Sequence, residues 1–373
     1  MSMMTRRRDK HFMAMCLRLA EKGSGHVSPN PLVVAVLVKG GRVVARGVHR
    51  QFGGSHAEVE CLHSFKGDTR NATLYVNLEP CSHHGKTPPC VDLIIDSGIR
   101  TVVVGMQDPN PIVAGKGLRK LRNAGVRVVK GVLGADAESL NRHFITHITK
   151  RRPFVHVKIA QTLDGKIAFK RGSPSEISCI ESRALVHRWR AEHDAVLVGA
   201  GTIRADDPVL TVRLAKGRDP ALVVLDAALS LKPNYKVFRN AEVRRVFIVT
   251  TKESAKKHWR KIQEFTSAGV TVLLIVPKNN YILPKQILKE MYKLGIGSVL
   301  VEGGSDIFTQ FVQSGSVDLL SVFVSAKIYP TGFPAFSQNG YGPHQRSERL
   351  GRPELVKRVG TDVLLQYGLS KGI

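Results

Sequence analysis

Acidic residues are scarce in this chain: 30 Asp and Glu stand against 56 Lys and Arg, a formal charge of +26. Cysteine is scarcer. Cys16, Cys61, Cys81, Cys90 and Cys179 form an odd, sparse set, which argues against a disulfide framework and for thiols used in packing or chemistry in a reducing cytoplasm. No apolar run approaches the roughly 18 residues needed to cross a bilayer, so no membrane partner is expected. The start, "MSMMTRRRDKHFMAMC", is basic but has no apolar core and no small-residue cleavage site, and we read no signal peptide in it. Aromatic residues are few, at 6%, which leaves little for stacking bases in a nucleic-acid groove.

The positive charge itself is dispersed. "TRRRDK", "TKRRP", "KKHWRK" and "RSERLGRPELVKR" are separated by ordinary globular sequence. Such a surface attracts anions and would bind nucleic acid non-specifically at low salt. The expectation is a solvated basic surface serving small phosphorylated ligands, with no specific nucleic acid. A homo-oligomer is compatible with the composition, which does not fix the oligomeric state.

At 373 residues the chain exceeds one ordinary core, and two domains are expected. "LVVAVLVKGGRVVARGVH" reads as a hairpin of mostly buried strands turning at Gly40-Gly41. "HAEVECLHSF" fits a helix starting near His56, "ATLYVNLEPC" a strand ended by Pro80, and "VDLIIDSGI" a helix closed by Gly98. "TVVVGM", "LRKLRNAGV" and "RVVKGVL" continue the alternation, which indicates an α/β sandwich with a mostly parallel sheet. Charge clusters before Pro153 and a buried strand restarts after it, so a boundary is placed near 150, giving domains 1–150 and 151–373. The second part repeats the rhythm in "AVLVGAG", "ALVVLD", "RVFIVT", "VTVLLIV", "GSVLVEGG" and "LLSVFVSAKI". A long loop is expected over 331–353, before a last strand, "DVLLQYG".

The chemistry concentrates in "HAE" at 56–58 and "EPCSHHGKTPPC" at 79–90. His56, Cys81 and Cys90 are one imidazole and two thiols of the kind that bind zinc, and three protein ligands leave a fourth tetrahedral position for water. On the ion that water's pKa falls to about 7. Glu58 stands two residues after His56, placed to carry protons, and His-x-Glu followed by Pro-Cys and a second Cys is the signature of zinc deaminases. The proline before each cysteine fits a thiolate at or just before a helix's first turn, where the dipole favours it. A structural zinc site with His83 or His84 as fourth ligand, or plain packing of the two thiols, is the bland alternative. In the second part, "VLVEGGSDIFTQF" joins a strand, a glycine pair and a helix start, where backbone N–H groups can meet phosphate. "TIRADDPVLTVR" places two carboxylates and two arginines in a loop after a strand, at the edge where α/β sheets bind ligands.

Eight residues, "SHHGKTPP", separate Cys81 from Cys90, where nucleic-acid and nucleoside deaminases usually have two. With "SPNP", "HAEVEC", "TLYVNLEPCSHHGKTPPC", "GMQDPNPIVAGKGL", "RPFVHVKIAQTLDGKIA", "GAGTIRADDPVLTVR" and "VEGGSDI" in order, the chain resembles the bifunctional deaminase-reductases of riboflavin biosynthesis from about residue 10 onward. The resemblance implies a cytidine-deaminase-like α/β/α sandwich at the N-terminus and a dihydrofolate-reductase-like α/β domain at the C-terminus, with Zn2+ and NADPH as cofactors. It implies deamination of a phosphoribosylated diaminopyrimidinone, with Glu58 moving the protons, then reduction of the ribose, opened as an imine, to ribityl. Asn30, His49 and Lys86 would hold the deaminase substrate. Lys158, Arg190, Leu210, Arg213 and Glu302 would line the reductase substrate pocket. Ala160, Thr202, Asp206, Gly304, Ser305, Asp306, Ile307, Phe308, Thr309 and Gln310 would contact NADPH.

Four positions depart from the pattern. Pro174 and Glu176 stand where the family shows Ser and Trp, Ala227 where serine is common, and Val34 where glycine is usual. A carboxylate at 176 would oppose the cofactor's phosphates unless it points away. The hydrolytic set is whole, so the alternatives are a deaminase with a degraded reductase half, a nucleic-acid-editing zinc deaminase, and a non-catalytic zinc module.

Overall fold

The fold is described from a computed structural model, over residues 3–83, 88–111, 113–170, 172, 175–239, 241–278, 281–337 and 350–369. The chain divides into two compact units, Met1–Arg151 and Arg152–Ile373.

The first unit runs α1 (Met3–Ala20), β1 (Val34–Lys39), β2 (Arg42–Val48), α2 (Ala57–Ser64), β3 (Thr73–Leu78), α3 (Cys90–Asp96), β4 (Thr101–Met106), α4 (Lys116–Asn123), β5 (Arg127–Lys130), α5 (Gly134–Leu140) and α6 (Arg142–Lys150). Its sheet has the order β2-β1-β3-β4-β5. Alternation of side chains along a strand decides which helix lies on which face. Ala35, Leu37, Leu74, Val76, Val102 and Val104 pack on α2, α3 and α4. Val34, Val36, Val38, Tyr75 and Val103 pack on Phe12, Met13, Cys16 and Ala20 of α1.

Two expectations are corrected here. The sheet is half parallel: β3-β4 and β4-β5 are parallel, while β1-β2 and β1-β3 are antiparallel, because the hairpin forms one edge. Only β1 of that hairpin is buried from Val34 to Val38. Edge strand β2 leaves alternate side chains exposed, as a strand facing solvent on one side must.

At Gly47 of β2 a Cβ would lie 2.0 Å from the Ala57 carbonyl oxygen and 2.3 Å from the Cys61 nitrogen. The strand therefore touches α2 backbone to backbone, and only glycine permits it. Gly47→Ala should push α2 outward, cost about 2 kcal/mol or more as overpacking, and lower both the melting temperature and the metal content of the purified chain. An unchanged melting curve with full metal would contradict this.

The second unit contains β6 (Phe154–Thr162), β7 (Lys166–Ala168), α7 (Ile180–Glu192), β8 (Ala195–Gly199), α8 (Ala200–Asp206), β9 (Ala221–Leu225), β10 (Val246–Thr251), α9 (Lys252–Lys257), α10 (Trp259–Ser267), β11 (Thr271–Ile275), α11 (Pro284–Lys293), β12 (Ser298–Val301), α12 (Ser305–Gln313), β13 (Leu319–Ser325), β14 (Phe333–Pro334), β15 (Leu355–Val359) and β16 (Asp362–Gly368). The nine-stranded sheet has the order β11-β10-β9-β8-β12-β6-β13-β16-β15. Its strands are parallel from β11 to β13, and the last two pairings are antiparallel. One face buries Val157, Leu197, Val223 and Val299 against α11 and α12. The other buries Val196, Val198, Leu222 and Ile248 against α7, α8 and α10. The parallel strands are apolar on both faces, as helix-covered strands must be. The short strand β14 lies inside the expected long loop, and β15 follows that loop before the last strand. Residues 338–349 of that loop lie outside the described residues. No helix among the described residues is long and apolar enough to cross a membrane.

Candidate metal centre and reductase pocket

His56 is the N-cap of α2, in extended conformation. Its Nδ1 lies 3.2 Å from Cys90 Sγ and 3.5 Å from Cys81 Sγ. The Cys90 backbone N–H donates to Cys81 Sγ at 3.3 Å. All three donor atoms fall within 4.8 Å of one another. Cys90 begins α3 with Pro89 as N-cap, as the proline spacing suggested. Cys81 is corrected: it lies in irregular chain with no helix of its own, and takes its N–H contact from the start of α3. Among the described residues no fourth His, Cys, Asp or Glu joins the cluster. His83 is exposed, and His84 lies outside the described residues.

The electrostatics show what such a donor set requires. The Cys81 thiol is pulled down to about 4, chiefly by the hydrogen bond from Cys90, then by His56. Cys90 is pushed up by that same bond, by burial and by the charges of Glu58 and Cys81. The two thiols thus oppose each other's ionisation. Ionising both calls for a positive ion between them, and a divalent metal fits the three donors. Glu58, in the first turn of α2, is 4% exposed. Burial first, and the charge of Cys81 second, push its carboxyl up to about 7.

Asn30 and His49 form a hydrogen-bonded pair beside this centre. Asn30 Nδ2 meets His49 Nε2 at 3.0 Å, and His49 Nδ1 lies 2.9 Å from the Ser55 carbonyl. The carbonyl can only accept, so Nδ1 carries the proton and Nε2 receives Asn30. The His49 and His56 ring centroids are 6.1 Å apart. The chain beyond Asn30 is pinned by Asn77, whose Oδ1 accepts from Val34 N–H at 2.8 Å and whose Nδ2 donates to Leu32 O at 2.7 Å. Val34, the departure from glycine, is fully buried in that arrangement. Lys86 lies outside the described residues.

Sequence reasoning missed Glu79. This buried carboxylate accepts four backbone N–H groups, from Asp108, Gly115, Gly117 and Leu118, at 2.9–3.2 Å. It ties the "DPNPIVAGKGL" segment to the strand end that presents Cys81.

In the second unit a cavity of about 1040 Å³ opens at the carboxyl ends of β6, β8, β9 and β12, the expected edge for a ligand in a parallel sheet. Lys158, Ala160, Thr202, Asp206, Arg190, Arg213 and Glu302 line it, with Gly304, Ser305, Asp306, Ile307, Phe308 and Gln310 of the glycine-pair segment. Gly303 explains that pair: a Cβ there would fall 2.7 Å from Gly199 N and Val198 Cα, so the loop after β12 lies directly on the end of β8.

Two of the expected residues stand outside this lining. Thr309 is not in the lining. Its hydroxyl donates to Ser305 O and accepts from Ser337 N–H. Leu210 is buried away from the lining, with a left-handed φ of 56°. Glu176 does line the cavity, but its carboxylate is ion-paired with Arg183, so it does not face a phosphate as a bare charge. Ala227 also lines the cavity, and Pro174 lies outside the described residues.

Arg190 grips Glu302 bidentately, Nε at 2.6 Å and Nη2 at 2.9 Å. Burial opposes the Glu302 charge, yet Arg190 and then Lys158 hold its carboxyl below the usual range. Burial pushes Lys158 down against the pull of Glu302.

The RibD C-terminal domain family matches residues 153–346, and the cytidine and deoxycytidylate deaminase zinc-binding region matches residues 6–106. The riboflavin biosynthesis protein RibD of Aquifex aeolicus is 41% identical over 98% of this chain and 99% of its own length. The chain belongs to the RibD family. RibD of Escherichia coli is 34% identical over 86% of the chain and 88% of its own length. Among solved structures, the Thermotoga maritima diaminohydroxyphosphoribosylaminopyrimidine deaminase/5-amino-6-(5-phosphoribosylamino)uracil reductase superposes with a TM-score of 0.86 at 41% identity, over 98% of this chain and 99% of that one. Acinetobacter baumannii RibD gives 0.84 at 32% identity, over 97% and 99%. As a RibD, the chain is a bifunctional deaminase and reductase of riboflavin biosynthesis, with a zinc-binding deaminase domain and a reductase domain that uses a nicotinamide cofactor.

Proposed function

We propose that the first unit hydrolyses the exocyclic amine of a phosphoribosylated diaminopyrimidinone and that the second reduces the product, 5-amino-6-(5-phosphoribosylamino)uracil, to its ribityl form with NADPH. The observation that carries this reading is one imidazole and two thiols within 4.8 Å of one another beside a buried carboxyl. A zinc ion bound by His56, Cys81 and Cys90 supplies a Lewis acid that makes water nucleophilic near neutral pH. Glu58 takes the proton from that water and returns it to the departing nitrogen, so water enters, the C–N bond breaks and ammonia leaves. A buried carboxyl beside the three donors is placed for both transfers. Asn30, His49 and Lys86 hold the pyrimidine, with His49 fixed as the Nδ1–H tautomer by Ser55.

In the reductase NADPH supplies the hydride. Thr202, Asp206 and the segment from Gly304 to Gln310 hold it, with Ala160 alongside and Thr309 acting by buttressing Ser305 and Ser337. Lys158, Arg190, Arg213 and Glu302 orient the substrate, and the arginines suit its phosphate. Leu210 contributes through the backbone of its loop. Both small-molecule steps fit a reducing cytoplasm, where the two thiols stay available for metal.

The test follows ammonia release and NADPH consumption separately on the purified chain. Metal analysis should return one zinc per chain at this centre. Stripping with a chelator should abolish ammonia release, leave NADPH oxidation on the deaminated product intact, and be reversed by added Zn2+. Undiminished ammonia release from a metal-free chain would remove the deaminase reading. No NADPH turnover at any cofactor level would remove the reductase reading and leave a deaminase with a degraded second half.

A further inference from the structure

One buried titratable group in the reductase cavity has no role so far. His187, on α7, is 6% exposed and lines the cavity beside Arg190 and Arg213. Its Nδ1 accepts the Arg213 backbone N–H at 2.8 Å and faces that of Leu214 at 3.4 Å. An imidazole nitrogen that accepts carries no proton, so the hydrogen of the neutral ring is on Nε2. Burial, then the charges of Arg190 and Arg213, push His187 down to about 4, which keeps the ring neutral in ordinary conditions. Nε2 lies 3.5 Å from Arg190 Nη1. That nitrogen also only donates, and it is already turned to the Thr211 carbonyl at 3.1 Å. Two donors thus lie side by side with no acceptor between them, an arrangement that suits an anion accepting from both.

The segment that His187 touches does not hold its own shape. Leu210 has a left-handed φ of 56°, unfavourable for a bulky residue. Four side chains from outside secure the segment. Arg244, buried, donates to the Val209 and Leu210 carbonyls at 2.8 Å each. Arg190 donates to Thr211 O, Asp219 Oδ1 accepts from Val212 N–H at 2.6 Å, and His187 accepts from Arg213.

We propose that His187 is a positioning and specificity residue of the reductase: through Nδ1 it fixes the backbone that presents Arg213, and through Nε2–H it is a third donor, with Arg190 and Arg213, to a phosphate monoester on the substrate. The assignment rests on the reading of this cavity as the reductase substrate site and names which groups read the phosphate. Lys158 and Glu302 then face the remainder of the substrate.

The experiment titrates the full chain with ribose 5-phosphate, ribose, inorganic phosphate and NADP+ by calorimetry, for the wild type, His187→Leu, His187→Gln and Arg213→Leu. His187→Leu should weaken ribose 5-phosphate at least about tenfold, the scale of a lost hydrogen bond to a charged group, and leave ribose and NADP+ unchanged. His187→Gln, whose amide both accepts and donates, should recover most of that loss, which a purely structural residue would not show. Inorganic phosphate weakened in parallel assigns the effect to the anion, whereas its indifference assigns it to the sugar phosphate as a unit. Ribose 5-phosphate bound equally by wild type and His187→Leu overturns the proposal, even if Arg213→Leu loses it. So does a loss confined to NADP+, or a wild type that does not prefer ribose 5-phosphate to ribose. Absence of wild-type NADPH turnover alongside a His187-dependent preference would overturn the reductase reading and leave this assignment standing.

Discussion

Glu58→Gln should lower ammonia release by about a thousandfold while leaving one metal per chain, because general acid–base catalysis of this kind contributes roughly 10²–10⁴ in rate. The amide preserves size and hydrogen-bonding capacity in a position that is 4% exposed, so the first turn of α2, and with it His56, should stay in place. What it loses is the ability to take a proton at one moment and give it back at the next. NADPH oxidation on the deaminated product is the internal control, since every residue assigned to that step comes from the second unit. A variant with more than a tenth of the normal ammonia release would show that Glu58 does not carry the proton. Loss of metal together with activity would make it a structural support of the centre instead.

The positions of His56 and Cys90 were legible in the sequence because each lies at an element junction with its own local marker. His56 follows a Gly-Gly-Ser turn and Cys90 follows Pro89, and both prove to stand at helix starts. The strands were legible for a similar reason. Short apolar runs ended by Gly or Pro leave few other structures open. The buried face of α1, Phe12, Met13, Cys16, Leu17 and Ala20, follows helical spacing, but the run of basic residues before it dilutes that periodicity. The strand β15 follows a stretch rich in Gly, Pro and charge, and its pairing partner β16, not its own composition, makes it a strand.

Other features had no local signal. Glu79 receives N–H groups from residues 29 to 39 positions away, and Arg244 reaches carbonyls 34 and 35 positions away. In one dimension each is an unremarkable charge between apolar runs. Their roles depend on which loop the sheet order brings alongside, and that order follows from packing across the whole unit. Leu210 shows the same limit: its left-handed backbone and its place outside the cavity lining have no signal in the motif around it.

Glu302→Leu should cost the second unit about 3–5 kcal/mol, the usual penalty for removing one partner of a buried ion pair. The side chains of Arg190 and Glu302 are only 11% and 7% exposed, and Lys158 lies partly buried beside them. Deleting the carboxylate leaves the two cations facing each other, with Asp362 the acid whose charge still reaches Lys158. In a unit of this size that loss corresponds to a fall of roughly 10 °C in melting temperature, measurable by calorimetry, and NADPH oxidation should vanish with it. Glu302→Gln keeps the shape and one acceptor, so it should melt between the wild type and the leucine variant. The pH dependence has a definite sign. Because the folded Glu302 carboxyl lies below its ordinary range of about 4.3, its contribution is complete above that value and is lost as the pH falls through the depressed folded value. The gap between wild type and Glu302→Leu should therefore be constant near neutrality and narrow only in acid. A leucine variant that melts with the wild type at neutral pH would show that the pair is held by its surroundings and contributes little to the fold, and that its worth lies in the substrate it orients.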